Sequence, residues 1–271
     1  ETVFPTETNI GNMGYTRKRL VETPQDMKIL KYVMDHARIL PDYQPFRELD
    51  AYIGEDGLVT VSTPVTPIQG LLQTDMGVEE FTYSLMDYEE EMEELMESIH
   101  RFNRRVYEVC ADSPAQVFIA YEDTSTTVLS PAWYEKYCMR QIDEYADILR
   151  KKGKLFITHM CGKLANLTGY LAAGRQDGID SVCPPTTGDL EPGKALEEVG
   201  KIIIGGLEPP ALVRMNAKQA REYALEKLRQ VGSGKGFILS TGDTAAADTP
   251  IENLIAIAEL VKEKGVYPLN L

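Results

Sequence analysis

The stretch KLFITHMCGK, from Lys154 to Lys163, has the pattern of an apolar strand that ends in polar chemistry. Successive side chains of a strand point to opposite faces, so Ile157, His159 and Cys161 share one face. An imidazole and a thiol at this spacing can both reach one zinc ion. The alternative interpretation is a strand end with a hydrogen-bonded histidine and a buried cysteine, and these two residues alone leave both interpretations open.

Around this strand, short apolar segments alternate with amphipathic helical segments along the chain. Such alternation is typical of right-handed parallel βα units. A length of 271 residues suits one barrel of the (β/α)8 type, which usually takes ~250 residues. We therefore predict an α/β fold of the (β/α)8, TIM-barrel type. A doubly wound open sheet is the alternative, but no glycine-rich phosphate fingerprint follows any predicted strand. The six predicted strands are Leu58–Ser62, Gln116–Tyr121, Lys154–Cys161, Gly178–Cys183, Lys201–Ile204 and Gly236–Ser240.

The N-terminal part is the open question in this fold, because a closed barrel needs eight strands. Either two strands lie hidden within residues 1–50 or they precede residue 1, and the opening Glu1 favours the second interpretation. An open barrel edge would expose unpaired strands, so self-association into a homodimer is expected. We predict one barrel domain over residues 1–271, in which residues 1–50 form an N-terminal helical and loop segment and residues 51–271 form the βα units.

Several local patterns predict where helices begin and end. Residues 1–22 show little periodicity and predict a loop or a short hairpin. Residues 78–110 predict two long helices in series. Asn216 opens one predicted capping box, and Thr249 opens another before a helix that stops at Gly265.

Composition narrows the class of protein. The formal net charge of −14 argues against nucleic acid, because no basic stripe offsets the acidic side chains. The sequence shows no transmembrane run, signal peptide or lipidation motif, so no membrane partner is predicted. Four cysteines at irregular spacing do not suggest a disulfide scaffold, which predicts a cytoplasmic protein with reduced thiols.

Polar residues recur where the predicted strands end, which is where active sites of such barrels lie. This placement favours an enzyme. The alternative interpretation is that an acid after a strand caps the next helix, which suits Asp189 and Asp248 best, Asp123 less, and Glu122 and Asp243 least. The polar strand ends are Glu122-Asp123, His159-x-Cys161, Asp180-x-x-Cys183, Glu208 and Thr241-Gly242-Asp243.

Four segments together resemble the uroporphyrinogen decarboxylase superfamily. They are HMCGK at the end of a strand, GIDSVCPPTTGDL, GGLEPPAL and GFILSTGDTAAADTPIENLIAIAELVKEKG, and the resemblance runs from about residue 55 to the C-terminus. The superfamily fold is a (β/α)8 barrel. Its two main groups are cofactor-free decarboxylases of haem synthesis and zinc methyltransferases that work with corrinoid proteins.

The resemblance favours the methyltransferase group. Its members carry His-x-Cys on a barrel strand, as His159 and Cys161 do here. The decarboxylases bind their porphyrinogen with arginines of an N-terminal motif that this chain lacks, and they carry Gly-His-Gly where this chain has Gly242-Asp243-Thr244.

The resemblance also implies a third zinc ligand. In the methyltransferases it is usually a cysteine in the glycine turn of the last strand, where this chain has Asp243. A carboxylate is an acceptable zinc ligand, so His159, Cys161 and Asp243 are the expected metal ligands. Glu122 and Cys183 are ranked second and third as alternatives to Asp243.

The expected activity is methyl transfer between a small substrate, such as a methoxylated compound, and the cobalt of a separate corrinoid protein. Zinc is the expected cofactor, and cobalamin is expected on the partner, since the chain shows no cobalamin module of its own. Glu122 and Asp123 are the candidate catalytic residues, which would position substrate or handle a proton. The alternatives are a decarboxylase-like lyase and a non-catalytic barrel subunit.

Overall fold

The structure is a computed structural model that describes Thr2–Val3, Tyr15–Thr16 and Lys18–Leu271. Its central feature is a parallel six-stranded sheet whose strands follow one another in chain order. With helices between the strands, this is the α/β arrangement predicted from the sequence. The strands are β3 (Thr60–Thr63), β4 (Val117–Tyr121), β5 (Leu155–His159), β6 (Gly178–Val182), β7 (Ile202–Leu207) and β8 (Phe237–Thr241).

Two further short strands, β1 (Thr2–Val3) and β2 (Tyr15–Thr16), form a separate antiparallel pair. This pair agrees with the second of the two forms expected for residues 1–22, a loop or a short hairpin, and the residues between its strands lie outside the described part of the chain. Among the described residues of the first fifty, none joins the six-stranded sheet. The homodimer expected from an open barrel edge stays a prediction, as does the single domain.

Helices follow the strands in the order that the hydrophobic pattern predicts. They are α1 (Pro24–His36), α2 (Gln44–Ile53), α3 (Pro67–Gly70), α4 (Val78–Asp87), α5 (Glu89–Asp112), α6 (Pro131–Tyr134), α7 (Arg140–Arg150), α8 (Thr168–Ala173), α9 (Pro192–Val199), α10 (Pro209–Arg214), α11 (Ala217–Gln230) and α12 (Ile251–Lys264). A 3-10 turn covers Gly54–Asp56, and π-helical turns cover Leu71–Asp75 and Glu135–Met139. The described helices include none that is both long and apolar enough to cross a membrane.

The helix-boundary predictions succeeded at one capping box and failed at the other. The Asn216 side chain accepts the Gln219 backbone N–H at 3.0 Å, and the Gln219 side chain accepts the Asn216 N–H in return, so this capping box is confirmed. The box predicted at Thr249 is wrong. The Thr249 N–H donates to the Ala246 carbonyl in a turn, helix α12 starts two residues later, and the Thr249 hydroxyl is buried with no hydrogen-bond partner among the described residues.

The described chain packs as two compact units. The first comprises Glu1–Tyr121 and Trp133–Phe156. In this unit α5 packs between α1 and α7, and β3 pairs with β4. The core is aromatic: Tyr107 stacks on Tyr145 with 4.2 Å between ring centroids, and both side chains are fully buried.

A buried polar network lies beside this stack. His100 is 2% exposed; its Nδ1 lies 2.9 Å from the Tyr145 hydroxyl and its Nε2 lies 2.9 Å from a Glu144 carboxylate oxygen. Burial disfavours the imidazolium and lowers the pKa of His100, although the Glu144 hydrogen bond and charge act in the opposite direction. His100 is therefore a buried, hydrogen-bonded residue of this core.

The second unit comprises Glu122–Ala132 and Ile157–Leu271. Strand β5 enters it at Ile157 and pairs with β6, and β6, β7 and β8 continue in parallel. The register of β5 on β6 sets His159 opposite Asp180. The polar strand ends of this unit carry most of the candidate functional residues.

Candidate metal centre

His159 lies at the end of β5 and is held by a carboxylate on the neighbouring strand. Its Nδ1 lies 2.6 Å from Oδ2 of Asp180, and the two side chains are 12% and 18% exposed. An ionised carboxylate only accepts hydrogen bonds, so Nδ1 carries the proton and donates it. In neutral His159 this leaves Nε2 as the unprotonated ring nitrogen, which is the form that binds a metal ion.

Asp123 and Cys161 converge on the Nε2 side of His159. Oδ1 of Asp123 lies 3.8 Å from Nε2 of His159 and 3.5 Å from Sγ of Cys161. One ligand atom from each of the three residues lies within 4.8 Å of the other two. In the part of the chain that the structure describes, this is the one group of three or more metal-binding side chains that meets this spacing.

The backbone explains how Asp123 reaches this position. Its N–H donates to the His159 carbonyl at 3.1 Å, which ties the segment after β4 to the end of β5. Asp123 has a φ of +45°, in the left-handed region where aspartate and asparagine are the most frequent residues after glycine. On the other side Gly162, at a φ of +105°, lies where a Cβ would be 2.7 Å from the Ser125 side chain, so the loop after Asp123 packs directly on the HMCGK turn.

The electrostatics of the three side chains suit a cation. The pKa of the Cys161 thiol is raised to about 12, first by burial and then by the negative charges of Asp123 and Asp243. Burial lowers the pKa of His159, but the Asp180 hydrogen bond and the charges of Asp180, Asp123 and Asp243 outweigh it, and the net shift is upward. Positive charge is therefore favoured here, and without it the Cys161 thiol stays protonated at neutral pH.

Asp243 lies near this group but outside it. Its charge acts on both His159 and Cys161, yet it does not fall within the spacing that unites them with Asp123. The turn that carries it is tightly packed: a Cβ on Gly242 would lie 2.6 Å from Cβ and 2.7 Å from Sγ of Cys183. Only glycine fits there without displacing Cys183.

The other candidate ligands are buried away from solvent. Glu122 is fully buried, whereas its neighbour Asp123 is 43% exposed. Cys183 is 1% exposed, and burial raises its pKa to about 11. Neither residue belongs to the group formed by Asp123, His159 and Cys161.

Glu208, another predicted strand-end acid, is buried and accepts hydrogen bonds from the loop after β6. It is 3% exposed and accepts hydrogen bonds from the Thr186 N–H, the Thr186 hydroxyl and the Thr187 hydroxyl at 2.9–3.2 Å. Burial raises the pKa of Glu208, but these hydrogen bonds outweigh it and hold the pKa below its usual range. The carboxylate therefore anchors the loop after β6.

The sequence interpretation missed two contacts. Asp123 was considered as a catalytic or capping residue and not as a neighbour of His159 and Cys161, and Asp180 was recognised as a strand-end acid without a partner. The position of Asp180 opposite His159 depends on the register of β5 and β6, for which the only sequence signal is an acid near the end of the next strand.

Comparison with known proteins places the chain in a family. A family profile described as "Uroporphyrinogen decarboxylase (URO-D)" matches residues 16–264. The chain belongs to this family, which holds enzymes.

Curated relatives include uroporphyrinogen decarboxylases of two bacteria. The protein of Coxiella burnetii is 27% identical over 158 residues, which is 55% of this chain and 42% of that protein. The protein of Thermus thermophilus is 29% identical over 173 residues, 64% of this chain and 47% of that protein. The chain thus spans less than half the length of these relatives.

Among solved structures, a methyltransferase from Methanosarcina mazei has the same fold. The similarity has a TM-score of 0.68, covers 96% of this chain and 76% of that chain, and comes with 14% sequence identity. At this identity the likeness concerns the fold.

Proposed function

We propose that this protein is a zinc-dependent methyltransferase that moves a methyl group between a small, methoxylated substrate and a corrinoid protein. The observation that carries the proposal is the convergence of a carboxylate, an imidazole and a thiol from Asp123, His159 and Cys161 within 4.8 Å of one another. The resemblance to corrinoid-linked methyltransferases, noted on the His-x-Cys motif, supports it.

The donor set fits zinc by chemistry and by spacing. Zinc takes imidazole, thiolate and carboxylate ligands at ~2.0–2.3 Å in a tetrahedron, which sets neighbouring ligand atoms about 3.5 Å apart. The separations of 3.5 Å and 3.8 Å from Oδ1 of Asp123 agree with this value. Three protein ligands are typical of a catalytic site, in which the fourth position takes water or substrate.

The charge of the donor set bears on the chemistry. With Cys161 as a thiolate, Asp123 as a carboxylate and His159 neutral, the ligands carry two negative charges, which balance Zn²⁺. When bound there, zinc would supply a Lewis acid that polarises the oxygen of a methoxy substrate.

The residues of the chain prepare this site in three ways. Asp180 keeps the proton on Nδ1 of His159, so that Nε2 is the nitrogen that faces Asp123. Cys161 gives up its thiol proton on metal binding. Asp123 is 43% exposed, so a substrate can approach the donor set from its side. Glu122, the other candidate catalytic residue, is fully buried and is assigned no contact with substrate.

A second candidate function is decarboxylation of a porphyrinogen, which the curated relatives favour, since both are uroporphyrinogen decarboxylases. The two activities differ in their need for metal. A cofactor-free decarboxylase has no use for a converged His, Cys and Asp donor set.

The deciding experiment combines metal analysis with two assays. Purified protein is analysed for zinc by elemental analysis, beside His159→Ala, Cys161→Ala and the surface control Asp248→Asn. We expect about one zinc per chain in the unaltered protein and the control and little in the other two. Methyl transfer from a methoxylated aromatic compound to a corrinoid protein should follow the zinc content. Zinc-free protein that decarboxylates uroporphyrinogen would establish the second function instead.

A further inference from the structure

Strand β6 contains an irregularity next to the donor set. Along its pairing with β7, Ile179 lies opposite Ile203 and Val182 lies opposite Gly205, so three steps on β6 face two steps on β7. The additional residue falls at Asp180–Ser181 and forms a β-bulge. Ser181 has a φ of +74°, which a residue other than glycine adopts only at an energetic cost.

Two consecutive side chains at the bulge, those of Asp180 and Ser181, make hydrogen bonds to other segments of the second unit. In a regular strand, neighbours such as Asp180 and Ser181 point to opposite faces. Here Asp180 accepts the Nδ1–H of His159 at 2.6 Å, and the Ser181 hydroxyl donates to the Gly242 carbonyl. Gly242 precedes Asp243, whose charge acts on His159 and Cys161.

Both contacts are shielded from water. The Asp180 side chain is 18% exposed, and Ser181 is 1% exposed. A hydrogen bond in such surroundings is stronger than the same bond at the surface, because water competes with it less. Ser181, the strained residue of the bulge, therefore makes one of two shielded hydrogen bonds.

We infer that Asp180 and Ser181 are positioning residues, here called the β6 pair. Asp180 sets the tautomer and the orientation of His159, and Ser181 holds the Gly242–Asp243 turn against the site. The inference rests on the proposed function, because His159, the group that Asp180 positions, belongs to the proposed zinc site. Neither residue is assigned a contact with substrate.

The first test is the protonation of His159 in metal-free protein. In ¹⁵N-histidine NMR spectra recorded at a pH where the imidazole is neutral, His159 should carry its proton on Nδ1. Asp180→Asn keeps an oxygen acceptor and should keep this tautomer, whereas Asp180→Ala should shift the population toward the Nε2–H form. The charge control Asp248→Asn should leave the spectrum unchanged.

The second test is zinc affinity, measured by competition with a chromophoric chelator. Loss of a carboxylate that hydrogen-bonds a metal-binding histidine usually weakens metal binding ~10–100-fold. We expect a decrease in zinc affinity of this size for Asp180→Ala and a smaller decrease for Asp180→Asn. If His159 already favours the Nε2–H form in the unaltered protein, or if Asp180→Ala changes neither tautomer nor affinity, the inference for Asp180 is wrong.

Ser181 is tested by a matched pair of variants. Ser181→Ala loses the hydroxyl and keeps the strained backbone, whereas Ser181→Gly loses the hydroxyl and relieves the strain. We expect amide hydrogen exchange in residues 241–244 to become faster in both, and Ser181→Gly to be the more stable of the two in urea. Exchange that stays as slow as in the unaltered protein in both variants would contradict the role of Ser181.

Failure of the proposed function and failure of the positioning role would give different results. Absence of zinc binding in the unaltered protein, with the Asp180-dependent tautomer still observed, would refute the proposed function alone. Zinc binding and methyl transfer that persist in Asp180→Ala, with neither the tautomer nor the affinity changed, would refute the positioning role alone. Circular dichroism of each variant ensures that folded proteins are compared, and Asp180→Asn serves if the alanine variant does not fold.

Discussion

Replacing Asp123 tests which carboxylate completes the donor set, since the sequence favoured Asp243 and the geometry favours Asp123. Oδ1 of Asp123 lies 3.5 Å from Sγ of Cys161 and 3.8 Å from Nε2 of His159. Asp243 acts on the same two side chains by charge, outside that spacing. Asp123→Asn is the preferred variant, because asparagine tolerates a φ of +45° and keeps the shape of the side chain.

The expected magnitudes differ by more than tenfold. Structural zinc sites with four protein ligands bind with roughly 10–16 kcal/mol, or about 2.5–4 kcal/mol for each ligand. Since 1.4 kcal/mol corresponds to a factor of ten, loss of the Asp123 carboxylate should weaken zinc binding about 10²-fold or more. Loss of a nearby charge that is not a ligand is worth ~1 kcal/mol, so Asp243→Asn should weaken binding by about tenfold at most.

The assay is chelator competition at fixed pH and ionic strength, with Cys161→Ala as the reference for a lost ligand and Asp248→Asn as the charge control. The cobalt(II) form gives a second readout, because its absorption spectrum reports the number and type of ligands. If Asp243→Asn loses more affinity than Asp123→Asn, the assignment from geometry is refuted and Asp243 is the third ligand.

Three further predictions concern stability, each measured by urea denaturation. Folded His100 resists protonation because its pKa lies below the ordinary value of about 6.5, so the unfolded chain takes up the proton first and stability falls as the pH drops through that value. His100→Gln should therefore be the less stable protein at pH 7.5, with a difference from the unaltered protein that narrows toward pH 5. Gly242→Ala should destabilise the fold by about 1–3 kcal/mol, because the added methyl would lie 2.6 Å from Cβ of Cys183. Asn216→Ala should cost about 1 kcal/mol through its lost cap, whereas Thr249→Val should be within about 0.5 kcal/mol of neutral or stabilising, since its hydroxyl has no partner among the described residues.

Each of these has an outcome that would count against it. A stability difference for His100→Gln that stays constant on acidification would mean that folding does not shift the pKa of His100, and one that grows would mean that the folded protein favours the charged imidazolium. Unchanged stability of Gly242→Ala would mean that Cys183 moves aside freely. A Thr249→Val variant as damaged as Asn216→Ala would show that Thr249 caps α12 after all.

Local sequence patterns were sufficient for the order of the strands of the six-stranded sheet and for the helix pair after the first of them, but not for every boundary. Strand and helix follow from hydrophobic period and from breaking residues, which act over a few neighbours. The six parallel strands and the paired helices α4 and α5 were predicted for this reason. The failure at Thr249 is also local: two turns compete for the same threonine, and the turn to Ala246 places the residue one position ahead of the helix cap.

Which acidic residue lies beside His159 and Cys161 depends on distances between strands. His159 and Cys161 could be paired from the sequence because they are only two residues apart, although the predicted strand to Cys161 is too long and β5 ends at His159. The sequence could not show that Asp123, and not Asp243, lies close to these two side chains. The two aspartates follow different strands, and the position of Asp123 depends on its backbone conformation, which has a φ of +45°.

The sequence alone therefore determined the α/β alternation and the pairing of His159 with Cys161, because both depend on residues close together in the chain. The tertiary structure decided that Asp123 is the acid within 4.8 Å of both side chains, and that Asp180 is the partner of His159. The register of β6 on β5 sets Asp180 opposite His159, and the bulge at Ser181 breaks the alternation from which a sequence pattern is read. Register and bulges result from the packing of the whole sheet, so no local pattern encodes them.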